Sequence, residues 1–265
     1  MAGRPGALVV ADVVSGKILA ARGLDIASHR TRRPGSTLKP FVLMALLESG
    51  RLDASQKLLC RRPLRIGGLS LDCTHPPTML DFDAEEAIAY SCNSYFAEVA
   101  TRLSGPELVQ AFRKAGLDSP SGFVKDEASG RIEQPSDRER LQLEALGDRG
   151  VEVSPLELLE AYRKLALQKR KGDAGADAPV FAGLEQSVEY GMAHAASVDG
   201  MKIAGKTGTA ASRESVKTHG FFVGYAPAEK PEIVLVVFLE QGRGADAAAI
   251  VEPIFAEFAR ERRAP

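Results

Sequence analysis

Ile233-Val-Leu-Val-Val-Phe-Leu239 is a run of seven apolar residues without a polar break. A half-wet strand alternates polar and apolar positions, so an unbroken run of this length predicts a strand covered on both faces, near the centre of a sheet. Working outward, Gly220-Phe-Phe-Val-Gly-Tyr225 and Met201-Lys-Ile-Ala-Gly205 read as further strands. At the other end of the chain, Ala7-Leu-Val-Val-Ala-Asp-Val13 and Lys17-Ile-Leu-Ala-Ala21 flank Ser15-Gly16, as the arms of a hairpin would. Helical spacing fills the middle. Phe41-Val-Leu-Met-Ala-Leu-Leu47 reads as a buried helix, opened by Pro34-Gly35-Ser36 and closed at Gly50. Further helices are predicted over 83–102, 105–116 and 154–169, and a closing one over about 245–261. The segment 58–73, with Gly67-Gly68, predicts a small hairpin, and the Gly, Asp and Ala of 170–179 predict a loop. Strands at both ends and helices between them imply one sheet built from both termini with a helical lobe inserted. The expected single domain, 1–265, has a sheet lobe of about 1–35 and 198–265 and a helical lobe of about 36–197.

Composition narrows the classes. The chain has 265 residues, 45% of them hydrophobic, which excludes a disordered chain. Lys plus Arg number 34 and Asp plus Glu 35, so no global basic field exists to hold nucleic acid or an anionic membrane. The pair Arg61-Arg62 and the run Lys169-Arg170-Lys171 are local and read as solvated. No apolar stretch approaches the roughly 18 residues a membrane span needs. The opening Met1-Ala2-Gly3-Arg4-Pro5-Gly6 lacks the apolar core of a signal peptide.

Three short patterns follow one another, each occurring once: Ser36-Thr37-Leu38-Lys39, Ser91-Cys92-Asn93 and Lys206-Thr207-Gly208, the last continued by Thr209. Asn93 is the only asparagine. On a helix, residues i and i+3 share a face, so Ser36 at the helix start would have Lys39 one turn deeper beside it. A serine hydroxyl is a weak nucleophile and needs an adjacent base. A lysine serves as that base only if its pKa falls, by burial or by a second cation such as Lys206. Lys206-Thr207-Gly208-Thr209 reads as an edge strand in which Gly208 admits a substrate backbone. The N–H groups of Thr209 and Ser36 could together form an oxyanion hole. Thr207 and Thr209 would bind a substrate carboxylate, Ser91 would relay the proton to a leaving amine, and Asn93 would hold a substrate amide. Any one of these patterns alone is an ordinary helix start or strand turn; the order and context of all three point to acyl transfer.

These motifs match those of the penicillin-recognising serine transferases. The flanking text agrees: Arg33-Pro-Gly-Ser-Thr-Leu-Lys-Pro-Phe41, Ser91-Cys-Asn-Ser-Tyr-Phe96, Ala204-Gly-Lys-Thr-Gly-Thr-Ala210 and His219-Gly-Phe-Phe-Val-Gly-Tyr-Ala-Pro227 resemble class B penicillin-binding proteins. The resemblance runs over nearly the whole chain. It implies an α+β fold, with an antiparallel sheet of about five strands flanked by helices. It implies a D,D-transpeptidase that cross-links peptidoglycan stem peptides ending in D-Ala-D-Ala through an acyl-enzyme on Ser36, with D-alanine leaving and no catalytic cofactor. β-Lactam antibiotics would acylate the same serine. Class B proteins carry a membrane anchor and a pedestal domain, so an excised or minimal catalytic domain is expected. The full-length protein would be anchored in a cell-wall synthesis complex at the periplasmic face of the inner membrane or at the cell surface. The rival readings are a serine β-lactamase or β-lactam sensor, and a non-catalytic cell-wall scaffold. The class A stretch E-x-x-L-N is missing, the S-x-V of class D is replaced by Ser91-Cys92-Asn93, and the chain has no tryptophan.

All three cysteines lie within 60–92. Cys60 and Cys73 flank the Gly67-Gly68 hairpin, so a disulfide between them is one expectation. Cys60, Cys73, His75 and Cys92 also make a Cys₃His set suited to a structural zinc ion. The two readings stand level, beside a third in which Cys92 is a small buried hydrophobe and His75 is exposed. His219, at the start of a strand, is expected near the cleft rim without a role.

Overall fold

The computed structural model describes residues 3–172, 175–211 and 217–263. The chain opens with strands β1 (Gly6–Asp12) and β2 (Ile18–Arg22), then a short helix α1 (Leu24–His29). A 3-10 turn, Gly35–Leu38, leads straight into α2 (Lys39–Glu48), whose Val42, Leu43 and Leu46 are wholly buried. Two-residue strands β3 (Leu58–Leu59), β4 (Arg65–Ile66), β5 (Leu69–Ser70) and β6 (Asp81–Phe82) form two short antiparallel pairs, β3 with β6 and β4 with β5. The β4–β5 pair is the predicted Gly67-Gly68 hairpin.

The predicted helix 83–102 is in fact broken. It consists of α3 (Ala84–Ala89) and α4 (Asn93–Val99) with a kink between them at Ser91, the one described non-glycine residue with positive φ. Then follow α5 (Gly105–Ala115), strand β7 (Arg131–Ile132), α6 (Arg138–Ala145), strand β8 (Val151–Glu152) and α7 (Pro155–Arg170). Helices α3, α5 and α7 each begin with a capping box, Asp83/Glu86, Ser104/Glu107 and Ser154/Glu157, in which side chain and backbone satisfy each other's free N–H groups. The predicted loop 170–179 is shorter than its composition suggests. A 3-10 turn begins at Gly175 and α8 (Ala178–Glu189) follows, with Pro179 in its first turn, where a missing N–H costs nothing; Asp173 and Ala174 lie outside the described residues.

The late strands are β9 (Ala204–Ala211), β10 (Thr218–Ala226) and β11 (Ile233–Leu239), followed by α9 (Gly244–Arg263). β9 begins later than the predicted 201–205, so Lys206-Thr207-Gly208-Thr209 lies inside the strand. The sheet runs β2-β1-β11-β10-β9 and is antiparallel throughout. β11 is buried along its length, with β1 and β10 as neighbours. This is the expected α+β architecture of five strands from both termini. One face packs on α9 through Val237, Phe222 and Phe255. The other packs on the helical core through Phe221, Val236 and Tyr162. β9 is an edge strand, and the Gly35–Leu38 turn rests against it.

Candidate active site

Three elements converge: the 3-10 turn before α2, the kink between α3 and α4, and edge strand β9. Gly35 has φ +57, a region that glycine enters without penalty. A Cβ there would lie 2.7 Å from Thr209 O and 2.9 Å from Thr209 N, so only glycine lets the turn meet the strand. Gly208 serves the same contact from the other side: it packs under Pro34 O and the Thr37 side chain. The space at Gly208, expected to admit a substrate, is thus taken by the turn that carries Ser36. Gly35 N–H donates to Gly147 O (3.0 Å), Thr37 Oγ1 to Pro34 O (2.9 Å), and Tyr162 Oη to Thr37 O (2.9 Å). His219 is buried rather than at the rim, and its Nε2 lies 2.8 Å from Arg33 O. A carbonyl only accepts, so Nε2 carries the proton. These bonds fix the backbone around Ser36, which remains partly exposed.

Lys39 is completely buried. Its Nζ donates to Ser91 O (2.7 Å), Ser91 Oγ (3.2 Å) and Asn93 Oδ1 (2.6 Å), and it stands 5.2 Å from the centre of the Phe96 ring. The helix spacing predicts Lys39 beside Ser36; its hydrogen bonds in fact go to the second motif. Burial lowers its pKa to about 8, against a smaller opposing pull from Cys92 and Cys73. Lys206 is also fully buried, and its only described hydrogen bond is a long one to Thr207 O (3.4 Å). Burial first, then the charge on Lys39, push the Lys206 amine well below its ordinary value. Burial, rather than the second cation, is therefore the main cause of the low Lys39 pKa. Burial disfavours the charge on both amines, and the three acceptors around Nζ offset that cost at Lys39.

Asn93 is held at both ends of its carboxamide, Oδ1 by Lys39 and Nδ2 by Leu71 O (2.9 Å). Thr209 is exposed, and its Oγ1 accepts the Gly244 N–H at the start of α9 (2.9 Å). Thr207 is buried on the same side of the strand, against Gly244. The structure therefore brings Lys39, Ser91 and Asn93 into hydrogen-bonded contact and sets Lys206 beside them. It leaves Thr209 open at the edge and Thr207 covered. The roles of Phe96, Tyr162, Gly147 and Leu71 escape a sequence reading, because three act through ordinary packing or main-chain atoms and Tyr162 is an unremarkable core position.

The four residues of the cysteine cluster also meet. Cys60 Sγ lies 3.6 Å from Cys73 Sγ and 3.5 Å from His75 Nε2, and Cys73 Sγ lies 3.7 Å from Cys92 Sγ. The cysteines are free thiols, and all four donor atoms fall within 4.8 Å of one another. Tetrahedral zinc bonds of about 2.3 Å to sulfur and about 2.0 Å to nitrogen would separate two sulfurs by about 3.8 Å and sulfur from nitrogen by about 3.5 Å. The residues fit that ion. His75 and Cys92 are buried, which removes the reading with an exposed histidine. The His75 ring packs on Phe82, and Arg62 Nη2 donates to His75 O (2.9 Å), bringing a positive charge to the sulfurs.

Comparisons with known proteins agree over most of the chain. The penicillin binding protein transpeptidase domain matches residues 6–260. The peptidoglycan D,D-transpeptidase PbpA of Mycolicibacterium smegmatis is 25% identical over 272 residues, 87% of this chain and 55% of that protein. The probable peptidoglycan D,D-transpeptidase PenA of Neisseria gonorrhoeae is 25% identical over 287 residues, 90% of this chain and 48% of that protein. The chain thus spans about half the length of these relatives. The transpeptidase domain of penicillin-binding protein 3 from Burkholderia pseudomallei superposes with a TM-score of 0.85 at 22% identity, covering 98% of this chain and 89% of that one, which establishes the fold. With a family match that takes in the turn, the kink and the edge strand alike, the chain belongs to the penicillin-binding protein transpeptidase domain family.

Proposed function

We propose that the chain catalyses peptidoglycan D,D-transpeptidation with Ser36 as nucleophile. The observation that carries this reading is the convergence on Ser91 O, Ser91 Oγ and Asn93 Oδ1 of Nζ of Lys39, the residue that follows the Ser36 turn. Ser36 Oγ attacks the carbonyl carbon between the two terminal D-alanines of a stem peptide. Neutral Lys39 takes its proton, and the 3.2 Å contact to Ser91 Oγ offers the path by which a proton reaches the leaving nitrogen. The peptide C–N bond breaks and D-alanine leaves. The amine of a second stem peptide then takes the acyl group and frees Ser36. Ser36 N–H, at the start of its turn and without an intrahelical partner, and Thr209 N–H would hold the oxyanion. Thr209, exposed at the strand edge, would meet the terminal carboxylate. A β-lactam would open on Ser36 in the same way. The names of the relatives support peptidoglycan as the substrate class, and on this reading the full-length protein would act at the periplasmic face of the inner membrane or at the cell surface, in a cell-wall synthesis complex.

Glu144 lies three residues before Gly147, whose carbonyl holds Gly35; it is buried, and burial raises its pKa to about 8. The test uses a D-Ala-D-Ala donor with an amine acceptor. D-alanine release with formation of the cross-linked product, abolished by Ser36→Ala, supports transpeptidation. Release without cross-linking makes the chain a carboxypeptidase, and rapid turnover of nitrocefin makes it a β-lactamase.

We also propose that Cys60, Cys73, His75 and Cys92 hold a structural zinc ion, supported by the donor spacings. One zinc per chain, with thiols that titrate only after chelation, is the expected result. One free thiol without zinc would instead mean the Cys60–Cys73 disulfide, and three free thiols without zinc would exclude both.

A further inference from the structure

We propose that Cys73 is a positioning residue for acyl transfer, acting through the backbone of the second motif. The proposal rests on Ser36 being the nucleophile. The N–H groups that open a helix have no partner inside it. In α4 the first of these end on sulfur: Asn93 N–H donates to Cys73 Sγ (3.1 Å), Ser94 N–H to Cys73 Sγ (3.5 Å) and Tyr95 N–H to Cys92 Sγ (3.5 Å). Cys73 thereby grips Asn93 by its main chain, while Leu71, two residues earlier, grips the same residue by its side chain. Just before this lies Ser91 at φ +55, a left-handed conformation that residues with a Cβ rarely adopt. Ser91 N–H to Ile88 O (3.2 Å) and Cys92 N–H to Ala87 O (3.0 Å) close α3 around that residue, and Lys39, Leu71 and the sulfurs reach the motif from outside. If the Cys73 contact is lost, Asn93 Oδ1 and Ser91 Oγ move relative to Lys39, and the base loses its setting. Cys60 belongs to the same cluster, yet its sulfur meets Cys73 and His75 and its N–H meets Leu80 O, none of them in the second motif. It is the internal control.

The experiment measures the rate constant of penicillin acylation at saturating fluorescent penicillin. Each rate is normalised to the amount of protein that can be labelled, with thermal melts alongside. Cys73→Ala is expected to slow acylation about tenfold or more, as loss of a supporting partner commonly does. Cys73→Ser, whose hydroxyl can still accept an N–H, should recover part of that loss. Cys60→Ser, which loses one sulfur of the cluster but no contact to the second motif, should lower the melting temperature and slow acylation less than Cys73→Ala. Equal slowing by Cys73→Ala and Cys60→Ser, or a Cys73→Ala variant that loses only labelled amount and melting temperature, overturns the proposal. A wild type that never labels overturns the acyl-transfer reading, and this proposal with it. A labelled wild type with indistinguishable cysteine variants overturns this proposal alone.

Discussion

The two walls of the cleft are built on different principles. The sheet wall is β9, locked to β10 by a regular ladder from Ala204 to Ala211, with the Gly35 turn pressed onto it where no side chain fits. Its geometry is set by repeating main-chain bonds and by the absence of a Cβ. The helical wall is the kink at Ser91-Cys92-Asn93, where no ladder reaches. There two local bonds close the end of α3, Ser91 N–H to Ile88 O and Cys92 N–H to Ala87 O, and single contacts from distant segments, Lys39, Leu71 and Cys73, set the rest of the motif. A repeated ladder tolerates the loss of one bond, whereas a kink held by single contacts does not. Substitutions at the helical wall should therefore alter chemistry, and those at the sheet wall should first alter stability.

The largest expected effect lies where the walls meet. Lys39→Met removes the base and all three contacts to the second motif, and the acylation rate constant should fall by on the order of 100- to 10,000-fold. A loss below tenfold would mean that Lys206 or another group takes the proton. Stopped-flow labelling measures it.

A second prediction is a pH profile. Lys39 must be neutral to accept a proton, and burial lowers its pKa to about 8. The acylation rate should therefore rise with pH, about tenfold per unit below that value, and level off above it. Asn93→Asp would place an anion against Nζ, favour the charged amine and move the midpoint upward. An unmoved midpoint would show that the profile belongs to another group. The stability sign is also set. A lysine whose folded-state pKa lies below its unfolded value destabilises the fold while both states are charged, and that cost fades as pH rises from about 8 towards the unfolded value.

The smallest effect on chemistry is expected from Gly35→Ala. The left-handed backbone costs roughly 1–2 kcal/mol for alanine, and contact with the Thr209 backbone adds to it. The melting temperature should drop by about 2–4 °C for each kcal/mol lost. The acylation rate of the protein that remains folded should fall less than in the Lys39 variant. If the rate falls further than the stability, the two walls are not built as differently as argued above.

The same contrast explains what could be read from the sequence. β11 was legible because a strand covered on both faces needs an unbroken apolar run, and Ile233–Leu239 has one. The helix starts at Asp83, Ser104 and Ser154 were legible in principle from the D/S-x-x-E spacing of their capping boxes. Ser36, Lys39, Ser91, Asn93 and Lys206 stood out because their chemistry depends on residue type. The kink did not: helical spacing ran through 83–102, and Ser91 closes α3 in a left-handed conformation without the glycine that usually marks such an end. α8 was hidden because its Gly, Asp, Ala and Pro opening has the composition of a loop. The partnership of Lys39 with the second motif rather than with Ser36 depends on a contact 52 residues away in sequence, which local periodicity does not encode.

The central claim is that Ser36 forms the acyl-enzyme. Mass spectrometry of the intact chain after exposure to benzylpenicillin, followed by peptide mapping, tests it most directly. One penicilloyl group per chain, located on Ser36 and absent from Ser36→Ala, is the predicted result. An unmodified chain, or an adduct on any other residue, would contradict it.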